Sequence, residues 1–358
     1  MNTFRTDGGD GSGRPDMVDW DLAVRIGSRL AGEGPSVGRD EAPAIVEELR
    51  AGADRSTGLV REYTGLVARD HSAPVLVVDR AGWVQANADA FATLLAPIVD
   101  KLTEKKPPTG LTAAVGSRIT GAEVGGVLGF LGSKVLGQFD PFHAPDGRLL
   151  LVAPNIVHVE RELGADPHDF RLWVCLHEET HRVQFTAVPW MRDHMFGQIQ
   201  EFAATMEPSG VLEDGLSRIV EGLRNARSGS GGSLLDVVGT PEQKALLDGL
   251  TGVMSLLEGH ADVVMDGVGP KVIPSVAKIR AAFNERRKGV GVLDRVLRRV
   301  LGLDAKMAQY RDGAAFVRAV VDRTGMSGFN VVWEAPEHLP SKAEIADPDA
   351  WMARVLRT

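Results

Sequence analysis

The chain has a single cysteine, Cys175, among 358 residues, which excludes an internal disulfide framework. Cys175 lies within an apolar helical pattern and reads as packing rather than as a nucleophile. Tyrosine is nearly as scarce, with two in the chain, and aromatic residues of all kinds make up 6%. The basic stretch Arg286, Arg287, Lys288, Arg295, Arg298 and Arg299 has no interleaved aromatics, and the net charge is −8. Both features argue for a solvated helix face and against nucleic acid as a partner. No run of about 18 uncharged apolar residues exists, so no membrane span is expected. Residues 1–16 lack an apolar leader and read as a polar, disordered tail, which makes a cytoplasmic protein the expectation. Phosphate loops are absent too, because neither G-x-G-x-x-G nor G-x-x-x-x-G-K-[ST] is matched. The glycines of residues 119–139 (Gly121, Gly125 and Gly129 among them) instead suit a close helix–helix approach.

Apolar residues make up 44% and charged residues 25%, enough for a substantial core. Helical periodicity predicts helices over residues 18–30, Asp40–Ala53, Thr57–Ala68 and Asn87–Lys105. Later helices are expected near Trp190–Met206, Leu212–Arg227, Thr240–Asp266, Ser275–Lys288, Leu293–Leu301 and Ala305–Asp322. Pro74–Val78 is β-like, and Leu149–Asn155 is the best strand candidate. The latter is either an edge strand beside the functional site or a buried connecting strand.

The strongest pattern is His177-Glu178-Glu179-Thr180-His181, which matches H-E-x-x-H. On a helix, residues four apart lie about 40° apart around the axis, so both imidazoles can grip one metal ion. Glu178 then projects to the side, where it can take a proton from a water on that ion; this is the chemistry of zinc hydrolysis. The surroundings favour a helix. Asp166 is a good N-cap, Pro167 suits the first position, and Asp169 approaches a capping box. Phe170, Trp173, Val174, His177 and His181 share one stripe, until Val188-Pro189 breaks the pattern.

A catalytic zinc takes a third protein ligand. The metzincin continuation is excluded, because Gln184 and Ala187 stand where Gly and His would be needed. Glu258 and Asp262 share a face, four residues apart, on a helix whose other positions are apolar nearly all round, and buried acids need a reason. Glu258 is the expected third ligand, with Asp262 accepting the free ring N–H of a ligand imidazole. His260 is an alternative; it projects roughly 200° from Glu258, so both cannot readily reach one ion unless Gly259 distorts the helix. His194 and Glu201 also stay open.

The strings ERELGADPHDFRLWVCLHEETHRVQFTAVPW, LEGHADVVMD, LDAKMAQYRDGAAFVRAVVD and GFNVVW, with LLLVAPNIV and VDWDLAVRIGSRL, resemble a bacterial family of zincin-like hydrolases. Its members are labelled zinc-dependent metalloproteases or deazaflavin-coenzyme biosynthesis-associated proteins. The resemblance implies a mainly α fold with a small β component, zincin-like, in one domain over residues 17–358. Its zinc-binding half would begin near residue 146, after a helical half over residues 17–145. Tyr310 lies within a family-like string and is a candidate donor to the oxyanion of a tetrahedral intermediate, with His338 a weaker one. The expected activity is zinc-dependent hydrolysis of gluzincin type on a peptide, with Glu178 as general base. The alternatives are an amidohydrolase acting on a small metabolite and a non-catalytic zinc-site binding protein.

Overall fold

Leu149-Leu150-Leu151-Val152 is apolar without alternation, the pattern of a strand covered on both faces. A computed structural model describes residues 17–69, 73–105, 110–205, 240–288 and 303–356 of the chain. In it, β1 (Val75–Val78) lies parallel to β3 (Arg148–Val152), and β2 (Gly137–Asp140) pairs antiparallel on the other side. The order is β1-β3-β2. Leu150 and Val152 pack with Trp83, Val84 and Leu128 on one face, while Leu151 joins Leu49, Cys175 and Leu176 on the other. β3 is therefore the buried middle strand, and the edge-strand expectation moves to β2. The strand also ends three residues earlier than expected, because Pro154 opens the next helix and Asn155 donates to the carbonyls of Gly132 and Val135.

Helices make up most of the remainder. They are α1 (Trp20–Ala31), α2 (Glu41–Thr64), α3 (Arg80–Lys105), α4 (Gly110–Gly132), α5 (Ala153–Leu163), α6 (Pro167–Ala187) and α7 (Met191–Ala204). After them come α8 (Pro241–Val272), α9 (Val276–Lys288), α10 (Leu303–Phe329), two 3-10 turns, α11 (Lys342–Ala346) and α12 (Pro348–Val355). The tail 1–16 and the expected helices near Leu212–Arg227 and Leu293–Leu301 lie outside the described residues. Among the described residues no helix is long and apolar enough to cross a membrane.

Two expected helices, Asp40–Ala53 and Thr57–Ala68, are one. α2 runs unbroken through Gly52, where an added Cβ would lie 3.1 Å from Cys175 Sγ. The glycine therefore serves the approach of α6 and not a helix end. Gly267 behaves likewise: α8 continues past it to Val272, because its bare backbone is covered by the ring of Tyr63. The small-residue stripe of α4 packs on α1 as expected, with an added Cβ at Gly125 only 2.6 Å from the Ala23 carbonyl oxygen.

The middle of α8 is apolar nearly all round because it lies between two clusters. Val264, Met265 and Val268 join the core built with α2 and α6, while Val253, Leu256 and Leu257 join Phe316, Val317 and Trp351 in a second. It meets α10 backbone to backbone. A Cβ added at Gly259 would lie 2.2 Å from the Gly313 carbonyl carbon, and one at Gly313 would lie 1.9 Å from Ser255 O. Gly259 thus answers to a helix crossing, and the helix is not distorted around it. Gly259→Ala must force the two helices apart and is expected to destabilise the protein by about 1–3 kcal/mol. A lowered urea midpoint reads this out; an unchanged midpoint would mean that the crossing is looser than described.

Candidate metal centre

The Asp166 carboxylate caps α6 by accepting from Asp169 N at 3.0 Å, with Pro167 in the first turn. The Asp169 carboxylate does not close a capping box. It accepts from Ser275 N at 2.8 Å and so anchors the start of α9. The inward faces of α6 are set by α2: Cys175 Sγ donates to Leu49 O at 3.4 Å, and burial pushes its thiol pKa up, so it packs as an inert thiol.

The two adjacent glutamates of the motif have different surroundings. Glu179 is fully buried and held by Arg182 Nη2 at 2.6 Å and Thr57 Oγ1 at 2.8 Å, a tie between α6 and α2. Glu178 is 8% exposed and lies against the edge strand, where an added Cβ at Gly137 would be 2.5 Å from Glu178 Cγ. Only glycine leaves room for that carboxylate. Burial pushes the Glu178 pKa up; His181 opposes this and Glu258 adds to it, leaving it at about 7.

His177 and His181 turn their rings perpendicular to one another, with Nε2 atoms 3.3 Å apart. Glu258, from α8, brings Oε2 to 3.7 Å from each of those nitrogens. Among the described residues, this is the group whose ligand-type atoms gather within 4.8 Å of one another. A circle through three atoms with these separations has a radius of about 2.1 Å, matching the Zn–N and Zn–O bond length. The set of two imidazoles and one carboxylate, partly exposed on one side, fits a zinc ion in size and in donor chemistry.

The other sequence candidates lie elsewhere. His260 is fully buried, stacked on Phe329, and its Nδ1 meets Gln184 Nε2 at 2.9 Å. Burial, then the charge of His181, push its pKa down to about 3. Asp262 Oδ1 lies 3.5 Å from Arg280 Nη2, on a half-exposed face. The outer ring nitrogen of His181 meets Gln184, whose Oε1 is 3.0 Å from His181 Nδ1. Sequence reasoning missed Gln184 in this role, although its spacing of three from His181 places it on the same helix face. His194 packs edge-on against Trp190, Glu201 is exposed, and His338 Nδ1 meets Val331 O at 2.8 Å. Tyr310 falls in the first turns of α10, and its side chain lies outside the described residues.

The edge strand completes the surroundings. Val152 N donates to Leu136 O at 2.8 Å, which sets the alternation of the β2–β3 ladder. Gln138 and Asp140 therefore turn their backbone groups towards β3, whereas Gly137 and Phe139 turn theirs outwards. Among the described residues no strand pairs with that side of β2. Past Phe139 the edge leads to a cleft of about 240 Å³ lined by Phe139, Phe185, Arg69, Arg192, Asp146 and Asp193.

A model of the zincin-like metallopeptidase family matches residues 18–352. The chain belongs to that family. The chain is also 32% identical to a chain from Chloroflexus aurantiacus whose crystal structure is described as that of "a putative hydrolase with a novel fold". The similarity covers 95% of this chain and 99% of that one, with a TM-score of 0.71. No curated protein matches significantly. Family and neighbour together support a hydrolase in general, on a mainly α, zincin-like fold.

Burial pushes His181 down, but the Glu258 carboxylate outweighs it, helped by Glu178 and Gln184, and holds the ring up at about 9. A metal must displace that proton at any pH below this value. Zinc affinity is therefore expected to rise about tenfold per pH unit from about pH 7 and to level off above 9. Chelator competition across that range measures it, and a flat profile would remove His181 from the ligand set.

Proposed function

We propose that this protein is a zinc-dependent hydrolase of gluzincin type that cleaves peptide bonds, with zinc held by His177, His181 and Glu258. The observation that carries this is the triangle of His177 Nε2, His181 Nε2 and Glu258 Oε2, with sides of 3.3, 3.7 and 3.7 Å, beside the buried carboxylate of Glu178. A zinc ion bound there would polarise a scissile carbonyl and lower the pKa of water to about 7.

The residues of the chain do the rest. A Glu178 carboxyl whose pKa is about 7 is near the optimum for moving protons at neutral pH. Its oxygens accept a proton from the attacking water and return it to the nitrogen of the leaving amine. Glu179 is unsuited to this task, because Arg182 and Thr57 already occupy its oxygens. A structural zinc site would have no use for a buried carboxyl group at the Glu178 position, which favours catalysis over a binding role.

Peptide is favoured over a small metabolite by the free side of β2. The outward N–H and C=O of Gly137 and Phe139 can pair with an extended backbone, as in strand addition. A strand laid there would run from Glu178, at Gly137, to the cleft beyond Phe139 within a few residues. The test is a peptide-library cleavage screen of the zinc-loaded protein with a chelator-treated control. Chelator-sensitive cleavage supports the reading. Hydrolysis confined to small amides would favour the amidohydrolase alternative.

A further inference from the structure

Gln184 and His260 are both fully buried, and neither belongs to the triangle of ligand atoms. Their hydrogen bonds nevertheless have a determined direction. Leu257 O is a carbonyl and can only accept. The Gln184 side-chain atom 2.9 Å from it must therefore be the amide nitrogen, which orients the whole amide. The second hydrogen of that nitrogen points to His260 Nδ1 at 2.9 Å, so Nδ1 carries the lone pair and His260 keeps its proton on Nε2. The amide oxygen then faces His181 Nδ1 at 3.0 Å and accepts its hydrogen. With a hydrogen on Nδ1, His181 presents Nε2 to His177 and Glu258.

His260 makes little sense as packing alone. Its Nε2 is buried without a hydrogen-bond partner, between the rings of Phe329 and Trp333, where an apolar residue would avoid the loss. What the imidazole adds is an acceptor for the second Gln184 hydrogen. The carbonyl that orients the amide also belongs to the residue immediately before Glu258. One side chain thus reaches the ring of one candidate ligand and the backbone turn that carries another.

We propose that Gln184 is the positioning residue of the metal centre: its amide sets the His181 ring with Nε2 inwards and ties the Glu258 turn of α8 to α6, with His260 holding the amide in place. The proposal rests on the assignment of zinc to His177, His181 and Glu258. It explains why glutamine, which can accept and donate at once, stands three residues after His181: a carboxylate there could hold the ring but could not donate to Leu257 O or His260.

Gln184→Met keeps the side-chain length and removes the acceptor and both donors. Chelator competition is expected to show zinc bound about 10–100-fold more weakly, the range for loss of an outer contact, with an unchanged circular dichroism spectrum. Nitrogen-15-edited NMR of the zinc-loaded protein is expected to show a slowly exchanging His181 Nδ1–H that Gln184→Met loses. His260→Phe retains an aromatic ring and removes the Nδ1 acceptor together with an Nε2–H that has no partner; it should weaken zinc about two- to tenfold and keep that proton signal. Zinc affinity within about twofold of wild type in Gln184→Met, with the Nδ1–H signal intact, would overturn the proposal. If Gln184→Met does not fold, unchanged zinc affinity in folded His260→Phe overturns it instead. Failure of the wild-type protein to bind zinc would refute the metal assignment itself, and this inference with it.

Discussion

His181→Ala is expected to take the protein from about one zinc per chain to nearly none, and His177→Ala should do the same. Each removes one corner of a triangle whose sides are 3.3 to 3.7 Å, leaving two donors where a protein site needs three. The loss should exceed the 10–100-fold typical of an outer contact. Glu258→Ala should fall in the same class, and Asp262→Ala should weaken zinc less than it does. Metal analysis after gel filtration measures this directly. Full zinc content in both histidine variants would remove them from the site.

Glu178→Gln is the second large effect and has the opposite signature. Glutamine matches the shape of the buried carboxylate beside Gly137 but cannot accept a proton. Zinc content and thermal midpoint should hold, because Glu178 is not a corner of the triangle and its burial already disfavours charge. Hydrolysis should fall by about 10²–10⁴-fold, the usual contribution of general acid–base catalysis. Full activity in this variant would show that the proton is moved by some other group.

Much of α6 was legible in the chain, because its signals are local. An Asp-Pro start, an apolar stripe and a Val-Pro stop bound the helix within a residue or two. The motif spacing placed both histidines on one face. Glu258 stood out as a candidate because its neighbours on the helix are apolar nearly all round, where an acid has few other reasons to be. The remainder depended on tertiary packing. Gln184 carries no ligand-type chemistry, and its role exists only because Leu257 and His260 from α8 lie opposite it. Asp262 shares the helix face of Glu258 in sequence, but its contact with Arg280 of α9 is set by tertiary packing. The helix expected over Thr240–Asp266 continues past Gly267, which clears space for a side chain from another helix, as Gly52 does in α2. β2 is four residues without a clear alternation, so its place beside Glu178 could be found only through its pairing with β3.

The measurement that tests the central claim most directly is diffraction at the zinc edge from a crystal of the zinc-loaded protein. The account predicts one anomalous peak about 2.0–2.2 Å from His177 Nε2, His181 Nε2 and a Glu258 carboxylate oxygen, with Gln184 Oε1 still bonded to His181 Nδ1. A peak coordinated by His260, or no peak at this triangle while zinc binds elsewhere, would contradict it.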